Sequence, residues 1–322
     1  MLVATGITIP LIIFLRPTIL NTQELGQIDT GGYAFKLDVV GDIAYVIDVA
    51  DYTPGGMVII NVSDPTNPRV LGSYFDSGML RKVDVKDGIA YIANYQGGLE
   101  VVNVTDPSNP TRIYHYASSQ TLMDVQVEGN FAYVADWNRG LIILDISDPA
   151  NIVEEGQYMI GGACVHVKVE GNRAYIMDHH NDYSGIAIVD ISDPSNPSFL
   201  GAYAPSGVDL WNPVVRGDYM YVGDHSGGTN QFFILDVSDP SQIQEAGRYT
   251  SRGMTSFFID GNFLYSANWD KGLEIYDITD PIDPNKLGGF YDGGEAYDVM
   301  VVSNIAYVAD AEDGLEIIEI QL

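Results

Sequence analysis

Seven short strands centred on tyrosine recur along the chain: Ala44-Tyr45-Val46, Ala90-Tyr91-Ile92, Ala132-Tyr133-Val134, Ala174-Tyr175-Ile176, Met220-Tyr221-Val222, Leu264-Tyr265-Ser266 and Ala306-Tyr307-Val308. The tyrosines are 46, 42, 42, 46, 44 and 42 residues apart. A period of roughly 40–45 residues filled with short β-forming runs is that of a propeller blade, a unit that buries its faces only by stacking on its neighbours. At 322 residues the chain is long enough for two average domains. The repeat nevertheless runs from about residue 24 to the end with no room for a linker, so it reads as one domain.

The second unit shows how each repeat folds. Val83-Asp84-Val85 alternates, Asp87-Gly88 turns, and Ile89 to Ala93 returns as a second strand. Asn94-Tyr95-Gln96-Gly97 turns again into a third strand, Leu99 to Val104. Asp106-Pro107-Ser108-Asn109-Pro110 then forces a longer turn before a fourth strand ending near Tyr116. The expected unit is therefore a four-stranded antiparallel meander. Its third strand and turn recur as Leu141-Ile142-Ile143-Leu144-Asp145 and Ile186-Ala187-Ile188-Val189-Asp190, each followed by Ile-Ser-Asp-Pro. These segments resemble the LVIVD repeat of bacterial and archaeal surface proteins, and the resemblance covers nearly the whole chain past residue 24. It implies a β-propeller at a cell surface or outside the cell, and it supplies no catalytic residues.

The seventh unit stops after its third strand, Leu315 to Ile320, with no outer strand following. Glu24-Leu25-Gly26-Gln27-Ile28 matches the outer strands Val70-Leu71-Gly72-Ser73-Tyr74 and Phe199-Leu200-Gly201-Ala202-Tyr203. Placed on the edge of the last blade, residues 24–28 close the ring and remove the open seam. The expected fold is all-β: a seven-bladed propeller over residues 21–322, closed by that N-terminal strand.

Residues 1–20 lie outside this ring and are strongly apolar. Pro10, Pro17 and Gly6 argue against a helix, and no basic residue precedes the run from Leu11 to Leu15 as a secretory signal would have it. Ile7, Ile9, Leu11, Ile13, Leu15 and Ile19 fall on one face at period two, the pattern of an extended strand. Such a strand needs a partner. The favoured expectation is self-association, the strand adding to a neighbouring copy to build chains or filaments. A membrane anchor or targeting segment is the competing reading.

Lys plus Arg number 15 against 44 Asp plus Glu, a formal charge of −29, which repels nucleic acid and anionic membranes. The single cysteine, Cys164, forms no internal disulfide. Three constellations on the loop face that follows the tyrosine strands are candidate sites. Asp48, Asn94, Asp136, Asp178, Asp224, Asn268 and Asp310 each stand three residues after a repeat tyrosine, as turn caps. The spacings Asp136-x-Asn138, Asn268-x-Asp270 and Asp310-x-Glu312 before a glycine also offer the alternate oxygens of short calcium loops, without the distal Glu of a full EF-hand loop, which makes calcium a candidate cofactor.

The histidines cluster. His166, His179, His180 and His225 map to the fourth and fifth blades beside Asp178, Asp182 and Asp224, a set of transition-metal ligand types without a helical metal-binding motif. Nine residues before each tyrosine stand Lys36, Lys82, Asp124, His166, Asn212, Ser256 and Asp298, the expected lining of the channel mouth. Tyr95, Trp137, Trp211 and Trp269 are aromatics of the kind that grip a glycan or peptide. No nucleophile elbow, phosphate loop or dinucleotide fingerprint is present. The chain therefore reads as a non-enzymatic propeller acting in assembly or adhesion, with a metal-binding or enzymatic propeller, or a glycan or peptide receptor, as alternatives.

Overall fold

The computed structural model describes residues 20–49, 55–76, 78–117, 121–180, 183–225, 231–250 and 256–321. They form seven four-stranded antiparallel sheets, six of them sequential meanders running from the innermost to the outer strand. Blades 1 to 6 span residues 34–75, 80–116, 122–158, 164–203, 210–250 and 256–290. Blade 7 takes its inner three strands from Asp298–Val302, Ile305–Asp310 and Gly314–Gln321, and its outer strand from Asn21–Ile28. The closing strand is thus longer than the 24–28 segment expected from the Leu-Gly match, and Leu20 just before it is buried against the core of blades 6 and 7.

The tyrosines recur because each one joins two blades. Tyr45 packs with Val83 and Val85 of blade 2, Tyr91 with Val125 of blade 3, and Tyr307 with Leu37 and Val39 of blade 1. The remaining four make the same step. All seven are at most 5% exposed. An aromatic of this kind buries on the order of 150–250 Å², worth roughly 4–6 kcal/mol at about 25 cal/mol/Å² before ordering entropy is subtracted. The apolar core is therefore a ring of seven clusters between the blades.

A one-residue bulge near the start of the innermost strands aims their polar residues into the channel. Register shifts fall between Ala34 and Lys36, Leu80 and Lys82, Leu122 and Asp124, and Cys164 and His166. Ala34, Leu80, Leu122 and Cys164 are fully buried, while the residues beyond the bulge turn inward to the axis. From there the strands alternate: Leu37 and Val39 face a neighbouring blade, Lys36 and Asp38 the channel. Among the described residues no helix is long and apolar enough to cross a membrane.

Candidate functional site

The axial channel has a volume of about 710 Å³, and all seven residues standing nine before the repeat tyrosines line it. Its charges are largely matched internally. The Lys36 and Lys82 ammonium groups lie 3.6 and 3.8 Å from the two oxygens of Asp298, which also accepts hydrogen bonds from Ser256 Oγ and the Leu37 backbone NH. Burial would raise the Asp298 carboxyl, but Lys36 and Lys82 outweigh it and hold it below its usual value. The Lys36 ammonium is pulled down by burial even with Asp298 beside it.

Carboxylates of the wall also tie blade to blade. Asp38 accepts from the Val85 NH, Asp84 from Val127, and Asp124 from Val167, at 2.7, 2.8 and 3.2 Å, while Gln126 exchanges two bonds with Val169. Each is a bond from the innermost strand of one blade to that of the next. Burial, followed by the neighbouring Asp38, pushes Asp84 up to about 6.

At the loop end of the channel Trp211 gathers three of the predicted histidines. His225 stacks on it at 5.3 Å, and His166 and His179 meet it edge-on at 5.4 and 5.6 Å. The indole stands at the centre of the group, a role that the sequence reading assigned to a metal. His166 Nδ1 is 3.4 Å from Asp124, and His179 Nδ1 is 3.3 Å from Asp209. Burial lowers the His166 pKa, opposed in part by Asp124, which favours the neutral ring. His166 Nε2 and Trp211 Nε1 have no hydrogen-bond partner among the described residues. The His180 side chain and Asp182 lie outside the described residues, as do Ile7, Ile9, Leu11, Ile13, Leu15 and Ile19.

The ring of Asp and Asn residues caps loops in two directions. Asp136 Oδ1 accepts from the backbone NH of Asn138 and Arg139 in its own turn. Asp48 instead accepts from the Tyr33 NH, and Asp224 from the Asp209 NH, both in the loop entering the innermost strand. A glycine sixteen residues upstream makes the room in four blades: a Cβ on Gly294 would lie 2.1 Å from Asp310 Oδ2, with Gly32, Gly78 and Gly162 placed likewise against Asp48, Asn94 and Asp178. That sixteen-residue spacing was a readable signal.

Of the calcium-type spacings, Asn268 accepts from Ser266 Oγ, and Asp270 pairs with Lys271 at 2.8 Å. Asp310 differs. Its carboxylate meets Asp292 and Asp313 with the ligand oxygens all within 4.8 Å of one another, a grouping drawn from two loops rather than from alternate positions of one, and Glu312 is not part of it. Burial, then Asp292 and Asp313, pushes Asp310 up to about 7, and burial, then Asp292, Asp310 and Glu24, pushes Glu316 up to about 9.

The other predicted aromatics sit on the same loop face, where Tyr95, Trp137 and Trp269 donate their backbone NH groups to Met79, Thr121 and Ala296 of the incoming loops. Arg81 lies over the Tyr95 ring at 4.9 Å, Trp137 lines a 410 Å³ groove with Asn138, Met159 and His179, and Trp269 is 45% exposed. They are spread around the disc and make no single aromatic cradle with Trp211.

The family model for the LVIVD repeat matches seven times, at residues 31–76, 77–118, 121–160, 161–204, 209–251, 255–292 and 293–320. The chain belongs to the LVIVD-repeat family. Its repeat boundaries fall between blades, so one LVIVD repeat is one blade plus the loop that enters it, and the seventh match ends without an outer strand. The signature Asp closes the third strand and caps the following turn, as Asp145 does by accepting from the Ser147 NH at 2.8 Å.

Among solved structures, the LVIVD-repeat chain is similar to the computationally designed Ika8 protein, with a TM-score of 0.67 at 10% identity over 92% of this chain and 99% of that one. It is also similar to a protein from Lactobacillus plantarum, with a TM-score of 0.69 at 15% identity over 90% of this chain and 88% of the other. At such identities the likeness is one of fold. No curated protein matches the chain.

Proposed function

We propose that this LVIVD-repeat protein is a non-enzymatic propeller that works by association outside the cell or at its surface, with residues 1–19 adding as a strand to a neighbouring copy. The observation that carries this reading is that residues 20–321 already complete the ring, so the alternating apolar face of Ile7 to Ile19 is not needed to close it. The outer strands of the blades end in edges that can accept a strand, and they expose Val70, Phe75 and Phe199 at 50, 68 and 55%. The channel acids Asp38, Asp84 and Asp124 are taken up in bonds between blades, which favours a scaffold over a catalyst. Placement at the cell surface rests on the family resemblance.

Deleting residues 1–19 tests the reading by light scattering and electron microscopy. The full chain is expected to form large or filamentous species and the truncated one isolated discs. Unchanged assembly of the truncated protein would rule strand exchange out, and binding of the full chain alone to lipid vesicles would select an anchor instead.

A second reading, a channel that binds a glycan or peptide, is favoured by one observation. Trp211 Nε1 and His166 Nε2 are buried polar atoms without partners among the described residues, in the wall of the same cavity, where a ligand hydroxyl could serve both. Glycan-array binding that is lost in Trp211→Phe supports it; binding indifferent to that change counts against it.

A further inference from the structure

Three blades carry a glutamate at the second residue after the glycine that opens the third strand: Glu100 in blade 2 and Glu316 in blade 7, both buried, and Glu274 in blade 6, half-buried. The other four place Val58, Ile142, Ala187 and Phe233 there. A buried carboxylate must be matched by charge or hydrogen bonds. In two blades the outer strand supplies the match. Glu100 is bonded by His115 Nδ1 at 2.8 Å and by Arg112 at 3.4 Å, with the neutral Asn94 as its loop cap. Glu274 is paired with Lys286, which stands at the same register position as Arg112, two residues on from the glutamate's level.

Blade 7 breaks the pattern at every one of these positions. Its outer strand is the closing strand, and opposite Glu316 it places Gln27 where blade 2 has His115. Opposite Ile318 it places Glu24, an acid, where blades 2 and 6 have Arg112 and Lys286. The cap is Asp310 rather than Asn, and Asp313 is added in the turn. The Gln27 amide is occupied with the Asp313 carbonyl.

Glu316 and Asp310 are only 3 and 2% exposed, yet Glu316 Oε1 and Asp310 Oδ1 have no hydrogen-bond partner among the described residues. Asp292 and Asp313, both exposed, bring ligand oxygens within 4.8 Å of that of Asp310, and Glu316 adjoins the group through Asp292 and Asp310. No salt bridge among the described residues reaches any of the four.

We propose that a divalent cation of the calcium class binds at Asp292, Asp310, Asp313 and Glu316, replacing in blade 7 the basic side chains that neutralise Glu100 and Glu274 in their own blades. An all-oxygen set of irregular shape, with two carboxylates open to water, suits calcium, which takes six to eight such ligands without strict geometry. The site lies against the closing strand, so the ion ties Asp310, Asp313 and Glu316 to Asp292 of the loop entering blade 7, beside the seam where Asn21–Ile28 pairs with Gly314–Gln321. It stands whether or not residues 1–19 mediate assembly.

The test uses the full chain stripped with chelator and titrated with calcium alone, by calorimetry and by thermal unfolding. Saturating calcium at about 100 times Kd is expected to raise Tm by about 4 °C. Asp313→Asn, at an exposed position, is expected to weaken binding at least tenfold without lowering Tm in chelator. Glu24→Arg restores the blade 2 arrangement, and is expected to raise Tm in chelator while abolishing the calcium response. Wild-type protein with no heat and the same Tm in chelator and in calcium would overturn the proposal and leave bound protons as the neutralising charge. A calcium response equal in wild type, Asp313→Asn and Glu24→Arg would assign it to the diffuse acidic surface and overturn it equally.

Discussion

Gly26 of the closing strand and Pro65 of blade 1 approach so closely that a Cβ on Gly26 would lie 2.6 Å from the Pro65 carbonyl oxygen. The same meeting joins Gly72 to Pro107, Gly156 to Pro194 and Gly201 to Pro240, each an outer-strand glycine against the Asp-Pro turn of the next blade. Gly26→Ala is therefore expected to lower stability by about 1–3 kcal/mol, the cost of overpacking a fixed contact. Gly288→Ala should cost far less, because its nearest neighbours, atoms of Leu20, stand at 3.5 Å. Urea midpoints of the two variants decide the matter, and equal values would mean that the closing strand shifts freely.

Asp298 is the hub of the channel, holding Lys36, Lys82, Ser256 and the Leu37 NH at once. Asp298→Ala leaves two enclosed ammonium groups facing each other and is expected to cost about 3–5 kcal/mol. Asp298→Asn keeps an acceptor for Leu37 and Ser256, so it should cost less. If urea unfolding finds both variants within error of wild type, water rather than Asp298 solvates the lysines.

The propeller and its closure were legible because they rest on periodic apolar contacts. Each repeat tyrosine is a contact between blades, and the Leu-Gly pair of the closing strand repeats because Gly26 must admit the Pro65 turn. Asn21, Thr22 and Gln23 extend that strand, but they are polar and without alternation, held by backbone pairing with Glu319, Ile320 and Gln321. The polar ring of the channel was legible for the same reason of period. Its centre at Trp211 was harder to see, since a register shift between Trp211 and Val214 moves the indole into the histidine cluster. The acids of blade 7 come together across eighteen to twenty-four residues of sequence, from Asp292 to Glu316. Only comparison of outer strands in the correct register, Glu24 against Arg112 and Lys286, exposes the missing positive charge.

Cys164 is fully buried beneath the bulge of blade 4, and burial pushes its thiol well above the usual value, with Asp124, Asp178 and Asp136 adding to the effect. The native protein is expected to resist iodoacetamide and to take up one label per chain in urea. Rapid labelling of the native state at neutral pH would show that blade 4 opens at its inner edge.

Asp84 sets a pH dependence that runs opposite to the usual acidic one. Its carboxyl is raised from 3.8 to about 6, chiefly by burial and then by Asp38, although it accepts a bond from the Val127 NH. The folded state therefore keeps a proton that the unfolded chain has released, so the contribution is complete below 3.8 and is lost as pH rises through about 6. Asp84→Asn keeps the acceptor for Val127 and cannot ionise. Relative to wild type, it should gain stability between about pH 4.5 and about pH 7, read as the change in the difference of urea midpoints. Identical slopes for the two proteins would place the titration elsewhere, and a loss at neutral pH would mean that the charged carboxylate is wanted, held by Lys82 and Lys168 across the channel.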